Sequence, residues 1–176
     1  MEDAKVRMLR YLADAYAVEE GGLKSLEGIS EESDIDEMKT IIDEHVTVTR
    51  TQLNRLAGRI TALGGDVSKA KSIVNTMIGK LSELANAFHD REDKLTQDLI
   101  KAYSLEHFEV GMYTSLRAFA DEVGDHETAQ LADLILAEEQ LASERLLRLI
   151  PEVAKMAVTK TTIYRSTGGG GAGTPQ

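Results

Sequence analysis

The chain of 176 residues has no cysteine, only two prolines and little glycine before its C-terminal end. Without cysteine, disulfides and thiolate metal sites are excluded. Scarce proline and glycine favour long helices over a turn-rich β architecture. No run of 18 apolar residues and no signal peptide is present, so the sequence predicts a cytoplasmic protein rather than a membrane or exported one.

Basic residues are also few. Lysine and arginine total 20 against 30 acidic residues, which gives a net charge of −10. This balance argues against nucleic acid or an anionic membrane as a partner. The hydrophobic content of 42% is ordinary for a globular protein, and the length suits a single domain with one sizeable core.

Apolar residues recur at helical spacing in five segments. The predicted helices are 2–27 (stopped by Gly28), Ser33 or Asp34 to Leu63 (stopped by Gly64 and Gly65), 68–89, 91–122 (closed by Gly124), and one that begins at Asp125 or His126 and is kinked at Pro151. Four long helices predict an all-α antiparallel bundle, with the middle helix as a crossover. We expect the bundle to span residues 1–164 and a flexible Gly-rich tail to span 165–176.

The stretch "SLEHFEVGMYTSLRAFA" at 104–120 places two carboxylates on an apolar stripe. Glu106 and Glu109 lie in line with Tyr113, whose hydroxyl we expect to reach a buried acid. An ionised carboxylate is rarely buried without a partner or a bound cation. The alternative is that both acids lie at the edge of the stripe, with their charges in solvent or paired with lysine and arginine.

An internal repeat extends this pattern to the other helices. A shift of 90 residues lays Glu19 on Glu109, and a shift of 91 lays Val48 on Glu139. Two helical hairpins related by a pseudo-twofold would therefore bring three acids to matching depths, with Val48 at the fourth position. We expect Glu139 rather than Glu138 to face inward, because its stripe is the apolar one.

Inward carboxylates on facing helices are how bundle proteins hold iron or manganese. Hard oxygen ligands neutralise such a cation, and the cation removes the cost of burying the acids. The complete di-metal pattern also has two Glu-x-x-His pairs. Here Thr51 follows Val48 by three residues and Ala142 follows Glu139 by three, so the pattern is partial.

Four segments together resemble the YciE/YciF-type stress proteins of the ferritin-like superfamily, especially the variants common in actinobacteria. The segments are "YLADAYAVEEGGLKSL" at 11–26, "EHVTVTRTQLNRL" at 44–56, "LEHFEVGMYTSLRAFADEVGD" at 105–125 and "LAEEQLASERL" at 136–146. The resemblance implies a ferritin-like bundle, often dimeric, with a di-metal site and a stress-related role.

The resemblance also implies a set of metal ligands. Carried over residue by residue, the set is Glu19, His45, Glu106, Glu109 and Glu139. The chain departs from the family pattern at two positions, since Val48 replaces a glutamate and Gln52 replaces the histidine of many relatives. A single-metal site or an empty one is therefore an alternative to a bridged pair of metals, and His45 is either a nitrogen ligand or a hydrogen-bonded core residue.

Two functions remain open from the sequence. One is a metal-binding protein that holds Fe or Mn, with weak oxidase or peroxide-scavenging activity at most. The other is a metal-free structural or interaction module that keeps the bundle and self-associates. In both cases the resemblance implies a homodimer or a higher homo-oligomer.

Overall fold

The computed structural model describes residues 3–33, 35–68 and 94–157, which hold four long α-helices and no strand. The helices are, in chain order, α1 Ala4–Glu32, α2 Asp36–Ala62, α3 Lys94–Glu122 and α4 His126–Ala157. The all-α prediction is confirmed. None of these four helices is long and apolar enough to cross a membrane.

The four helices form an antiparallel bundle of two hairpins. α1 packs against α2 and α3 against α4, and the hairpins meet through α1 with α3 and α2 with α4. The connection within each hairpin is only three residues long, so the two helices that it joins must lie next to each other and run antiparallel. The predicted middle helix from residue 69 onward and the predicted tail at 165–176 lie outside the described residues.

The predicted end of the first helix at Gly28 is wrong. α1 begins after Asp3, whose side chain accepts a hydrogen bond from Lys5 N at 2.8 Å, and it continues four residues beyond Gly28 to Glu32. A glycine inside a helix costs about 1 kcal/mol. Burial of Ile29, which is 4% exposed, offsets that cost because the next turn of the helix joins the core.

Both predicted ends of the second helix, the predicted end of the fourth and the predicted start of the last agree with α2, α3 and α4 to within about two residues. The predicted starts at 2 and 91 lie outside the described residues. Gly64 and Gly124 adopt φ of +77° and +76° directly after α2 and α3, the left-handed conformation that glycine accepts without strain. Asp125 then accepts a hydrogen bond from Thr128 N at 3.1 Å at the start of α4. α4 runs through Pro151 to Ala157.

The core consists of two apolar layers, one toward each end of the bundle. One layer surrounds Leu12, Leu56 and Leu116, and the other surrounds Ile42 and Leu146. Between them the helices carry buried polar side chains, and these form the candidate site.

Candidate metal centre

Five ionisable side chains from all four helices are buried between the two apolar layers. We call them the Glu–His cluster: Glu19 of α1, His45 of α2, Glu106 and Glu109 of α3, and Glu139 of α4. The four carboxylates are 1–2% exposed and His45 is 9% exposed. The alternative in which Glu106 and Glu109 lie at the edge of the stripe is therefore excluded.

Three members of the cluster converge on one point. His45, Glu106 and Glu139 each offer one potential ligand atom, and these three atoms lie within 4.8 Å of one another. His45 Nε2 is 3.1 Å from Glu106 Oε1, close enough for a hydrogen bond. Glu19 and Glu109 lie beside this trio and interact with it electrostatically.

Two neutral side chains orient Glu19 and Glu139. The hydroxyl of Tyr113 donates to Glu19 Oε1 at 2.5 Å, which confirms the prediction that this tyrosine finds a buried acid. Gln52 Nε2 donates to Glu139 Oε1. Each of these hydrogen bonds holds one oxygen of its carboxyl group in place and so restricts the orientation of the whole group.

Burial makes the ionised form of these acids costly. It raises the pKa of Glu106 to about 7 and the pKa of Glu139 to about 9, and a hydrogen bond between the two carboxyl groups further raises the latter. Burial, with repulsion from the neighbouring acids, raises the pKa of Glu19 and Glu109 well above the ordinary value. The cluster therefore holds either protons or a cation, because several adjacent negative charges cannot persist in this environment.

His45 responds in the opposite direction. Burial lowers its pKa below the ordinary 6.5, although the charge of Glu139 partly opposes the shift. The imidazole is therefore neutral near pH 7, and the neutral form is the one that coordinates metals.

The donor atoms of the cluster suit a hard or borderline metal ion. Glu106 Oε2 and Gln52 Oε1 are buried, and neither has a hydrogen-bond partner among the described residues. A buried acceptor without a partner costs about 1–3 kcal/mol. A cation bound to Glu106 would provide a partner for Glu106 Oε2 and would neutralise the charge of that carboxylate. Carboxylate oxygens with one imidazole nitrogen match the preferences of Fe and Mn.

The structure corrects the predicted place of Val48 on α2. The sequence placed Val48 at the fourth inward position, but Val48 is only half-buried, and Thr49 occupies the interior at 3% exposure. Gln52, which was also expected on the inner stripe, is buried at 0% exposure. Steps of three and four residues fit either stripe, and packing chooses the one through Ile42 and Thr49. The choice of Glu139 over Glu138 is confirmed, since the Glu138 side chain is 24% exposed and pairs with Arg55.

Gly22 of α1 permits the close approach of α3 beside the cluster. A Cβ added to Gly22 would lie 3.2 Å from Leu105 Cδ2 and 3.5 Å from Glu109 Oε1, whereas a Cβ at Gly28 would meet nothing within 4 Å. The two glycines lie on the same helix and share its backbone conformation, so they form a matched pair.

We expect Gly22→Leu to destabilise the protein by about 1–3 kcal/mol, because the added side chain overpacks the contact between α1 and α3. Gly28→Leu should leave stability unchanged or raise it by about 0.5–1 kcal/mol, since leucine is the better helix former. Urea denaturation of the two variants measures both effects. Equal stability of the two variants would contradict the close approach at Gly22.

The four-helix architecture with inward carboxylates defines a ferritin-like helical bundle. Solved structures of this class match most of the chain. Residues 5–159 match the family described as "Domain of unknown function (DUF892)". The chain belongs to that family, and the resemblance to YciF-type ferritin-like proteins is confirmed.

Three of the matching structures illustrate the range of relatives. The Xanthomonas campestris protein XCC3681 is 21% identical, with a TM-score of 0.74 over 90% of this chain and 98% of that one. The Escherichia coli stress protein YciF is 18% identical, with a TM-score of 0.72 over 88% and 99% of the two chains. A ferritin-like, diiron-carboxylate protein from Bacillus anthracis is 15% identical, with a TM-score of 0.67 over 85% and 99%. At these identities the likeness concerns the fold.

Proposed function

We propose that this protein binds Fe or Mn at the Glu–His cluster. The observation that carries the proposal is the convergence of His45, Glu106 and Glu139 at a buried point, with Glu19 and Glu109 beside it. Within the described part of the chain, these acids form hydrogen bonds with Tyr113, Gln52, His45 and one another, and none of these partners carries a permanent positive charge. A bound cation supplies the missing compensation for the buried acids.

The residues have distinct roles in this proposal. His45, Glu106 and Glu139 hold the ion, and Glu19 and Glu109 complete the charge around it. Tyr113 and Gln52 orient the carboxylates through their hydrogen bonds, as groups around a metal site commonly do. The apolar layers on either side exclude water. The metal would supply any Lewis-acid or redox chemistry. The diiron-carboxylate relative from Bacillus anthracis supports a metal site, and the relative YciF supports a stress-related role.

Calorimetric titration of metal-free protein with Mn(II) or with anaerobic Fe(II) tests the proposal. We expect saturable binding with at least one ion per chain and a rise in melting temperature, because an ion bound only by the folded state stabilises it by mass action. Mg(II) is the matched control, since it prefers octahedral oxygen sites that retain several waters. An absence of saturable binding with both Mn(II) and Fe(II) would contradict the proposal.

A second candidate function is a metal-free structural module. It is favoured by the internal partners of the acids: Tyr113 for Glu19, Gln52 for Glu139 and His45 for Glu106. A protonated cluster with these partners is a self-contained polar layer that fixes the register of the four helices. The same titration separates the two candidates, because the module predicts no binding and an unchanged melting temperature.

We also propose that the chain self-associates. The comparisons include Dps from Thermosynechococcus elongatus and a dodecameric, bacterioferritin-related protein from Bacteroides fragilis, which support an oligomer for this fold. The exposed Phe108, 56% accessible on α3, is consistent with a surface covered by another copy. Sedimentation equilibrium should give a mass that is a multiple of the single chain, and a monomer at all concentrations would contradict this proposal.

A further inference from the structure

A small cavity lies between α2 and α4, directly beside the metal-centre trio. Its volume is about 70 Å³, and His45 belongs both to its lining and to the trio. The other walls include Val48 from α2 with Ala142 and Leu141 from α4. Leu141 is 51% exposed, so the cavity reaches the surface of the bundle.

The cavity exists because two small side chains face each other across α2 and α4. Val48 and Ala142 both line the cavity, and both side chains are small. Here neither side chain fills the space. Two larger grooves on the surface, of about 670 and 800 Å³, include no member of the Glu–His cluster. The small cavity, in contrast, leads from solvent to a residue of the trio.

The size of the cavity limits what it can hold. One water molecule needs roughly 10–15 Å³ of cavity volume, so this cavity of about 70 Å³ admits a molecule of a few heavy atoms and no larger ligand. Most of the wall is apolar, and His45 supplies a polar group.

The charges of the wall favour an uncharged ligand. Both charged residues of the lining already have ion-pair partners. Glu138 accepts two hydrogen bonds from Arg55 Nη1, at 2.8 and 2.9 Å, and Arg145 Nη1 donates to Glu44 Oε2 at 3.0 Å. An ion entering the cavity would lose its hydration without gaining a free partner.

We infer that this cavity is a binding and access site for a small uncharged molecule of a few heavy atoms, which reaches the centre past His45. The role of the cavity as a route to a metal rests on the proposed function. The existence of the cavity is independent of that function, because side chains of α2 and α4 form its walls. Two experiments therefore test the inference, one without metal and one with metal.

The first experiment uses xenon under pressure on crystals of the metal-free protein, since xenon occupies apolar cavities. Wild type should show xenon density between Val48 and Ala142. Ala142→Leu fills the space and should lose that density, while Ala137→Leu, on the exposed face of the same helix, should keep it. Val48→Phe fills the space from the opposite helix and replaces Ala142→Leu if that variant does not fold. An absence of xenon from wild type, or its persistence in the filled variant, would overturn the inference whether or not metal binds.

The second experiment measures the rate at which nitric oxide, a neutral diatomic probe, binds the Fe(II)-loaded protein in a stopped-flow instrument. Ala142→Leu should bind Fe(II) with unchanged stoichiometry but take up nitric oxide roughly tenfold more slowly, because access then requires local opening of the bundle. Ala137→Leu should match wild type. Equal rates in all three proteins would overturn the role of the cavity as an access route. A protein that binds no Fe(II) would instead contradict the proposed function and leave the xenon result to decide whether the site exists.

Discussion

The metal-free protein should lose several kcal/mol of stability as the pH rises from about 5 to about 9. The pKa of Glu106 is raised to about 7 and that of Glu139 to about 9, and the pKa values of Glu19 and Glu109 are also raised. The folded state therefore keeps protons that the unfolded chain releases above about pH 4.5. The contribution of these protonated acids to the free energy of unfolding is fully present below that pH. It is lost as the pH rises through the folded-state pKa of each acid. His45 opposes the trend below pH 6.5, because burial lowers its pKa.

Bound metal should reverse this dependence. A metal replaces the protons of the cluster, so binding releases protons and strengthens as the pH rises. The rise in melting temperature on adding Mn(II) should therefore be small near pH 5 and large near pH 8. Urea denaturation at a series of pH values, with and without Mn(II), measures both effects. Metal-free stability that increases from pH 5 to pH 8 would mean that the cluster acids are already ionised.

Replacement of Glu139 by glutamine should stabilise the metal-free protein and weaken its response to metal. At pH 7 the folded state must keep a proton on Glu139. Keeping it costs ~1.4 kcal/mol for each pH unit above 4.5, the ordinary pKa of a glutamate. Glu139→Gln removes that requirement at nearly the same volume, so we expect a gain of about 3 kcal/mol at pH 7 and almost none near pH 4. Loss of a ligand should at the same time reduce metal affinity.

Glu138→Gln is the matched control for this prediction. Glu138 is the adjacent residue on α4, but its side chain is 24% exposed and pairs with Arg55. It also accepts a hydrogen bond from Gln52 Nε2 at 3.1 Å, which the side-chain oxygen of a glutamine can accept as well. Its replacement should change stability by about 1 kcal/mol or less and leave the metal response intact. Chemical denaturation and metal titration of both variants make the comparison. A metal response that survives Glu139→Gln but is lost in Glu138→Gln would contradict the assignment of the inward acid.

The sequence predicted the bundle because its strongest signals are long and periodic. Stripes that persist over 25 residues identify helices, and Gly64 and Gly124 mark two of their ends by a conformation that other residues avoid. Gly28 carried the same signal and did not end a helix. The burial of Ile29 decided that case, and packing between helices is not visible in a local pattern.

The candidate site was predicted as a set of residues rather than as a geometry. Buried acids stand out in sequence because they interrupt apolar stripes, and this identified Glu106 and Glu109; the internal repeat then added Glu19 and Glu139. The choice between Val48 and Thr49 depended on which side of the stripe through His45 and Gln52 packs against the neighbouring helices, and spacing alone does not determine that. The close approach of Gly22 to Glu109 could not be predicted, since that contact joins residues far apart in the sequence and on different helices.

Anomalous diffraction from crystals soaked in Mn(II) tests the central claim most directly. Data collected on either side of the manganese absorption edge locate the ion independently of any assumption about its ligands. We expect an anomalous peak inside the bundle, at an ion coordinated by Glu106, Glu139 and His45. Crystals that show no anomalous peak at this point, or that bind manganese only at exposed surface carboxylates, would contradict it.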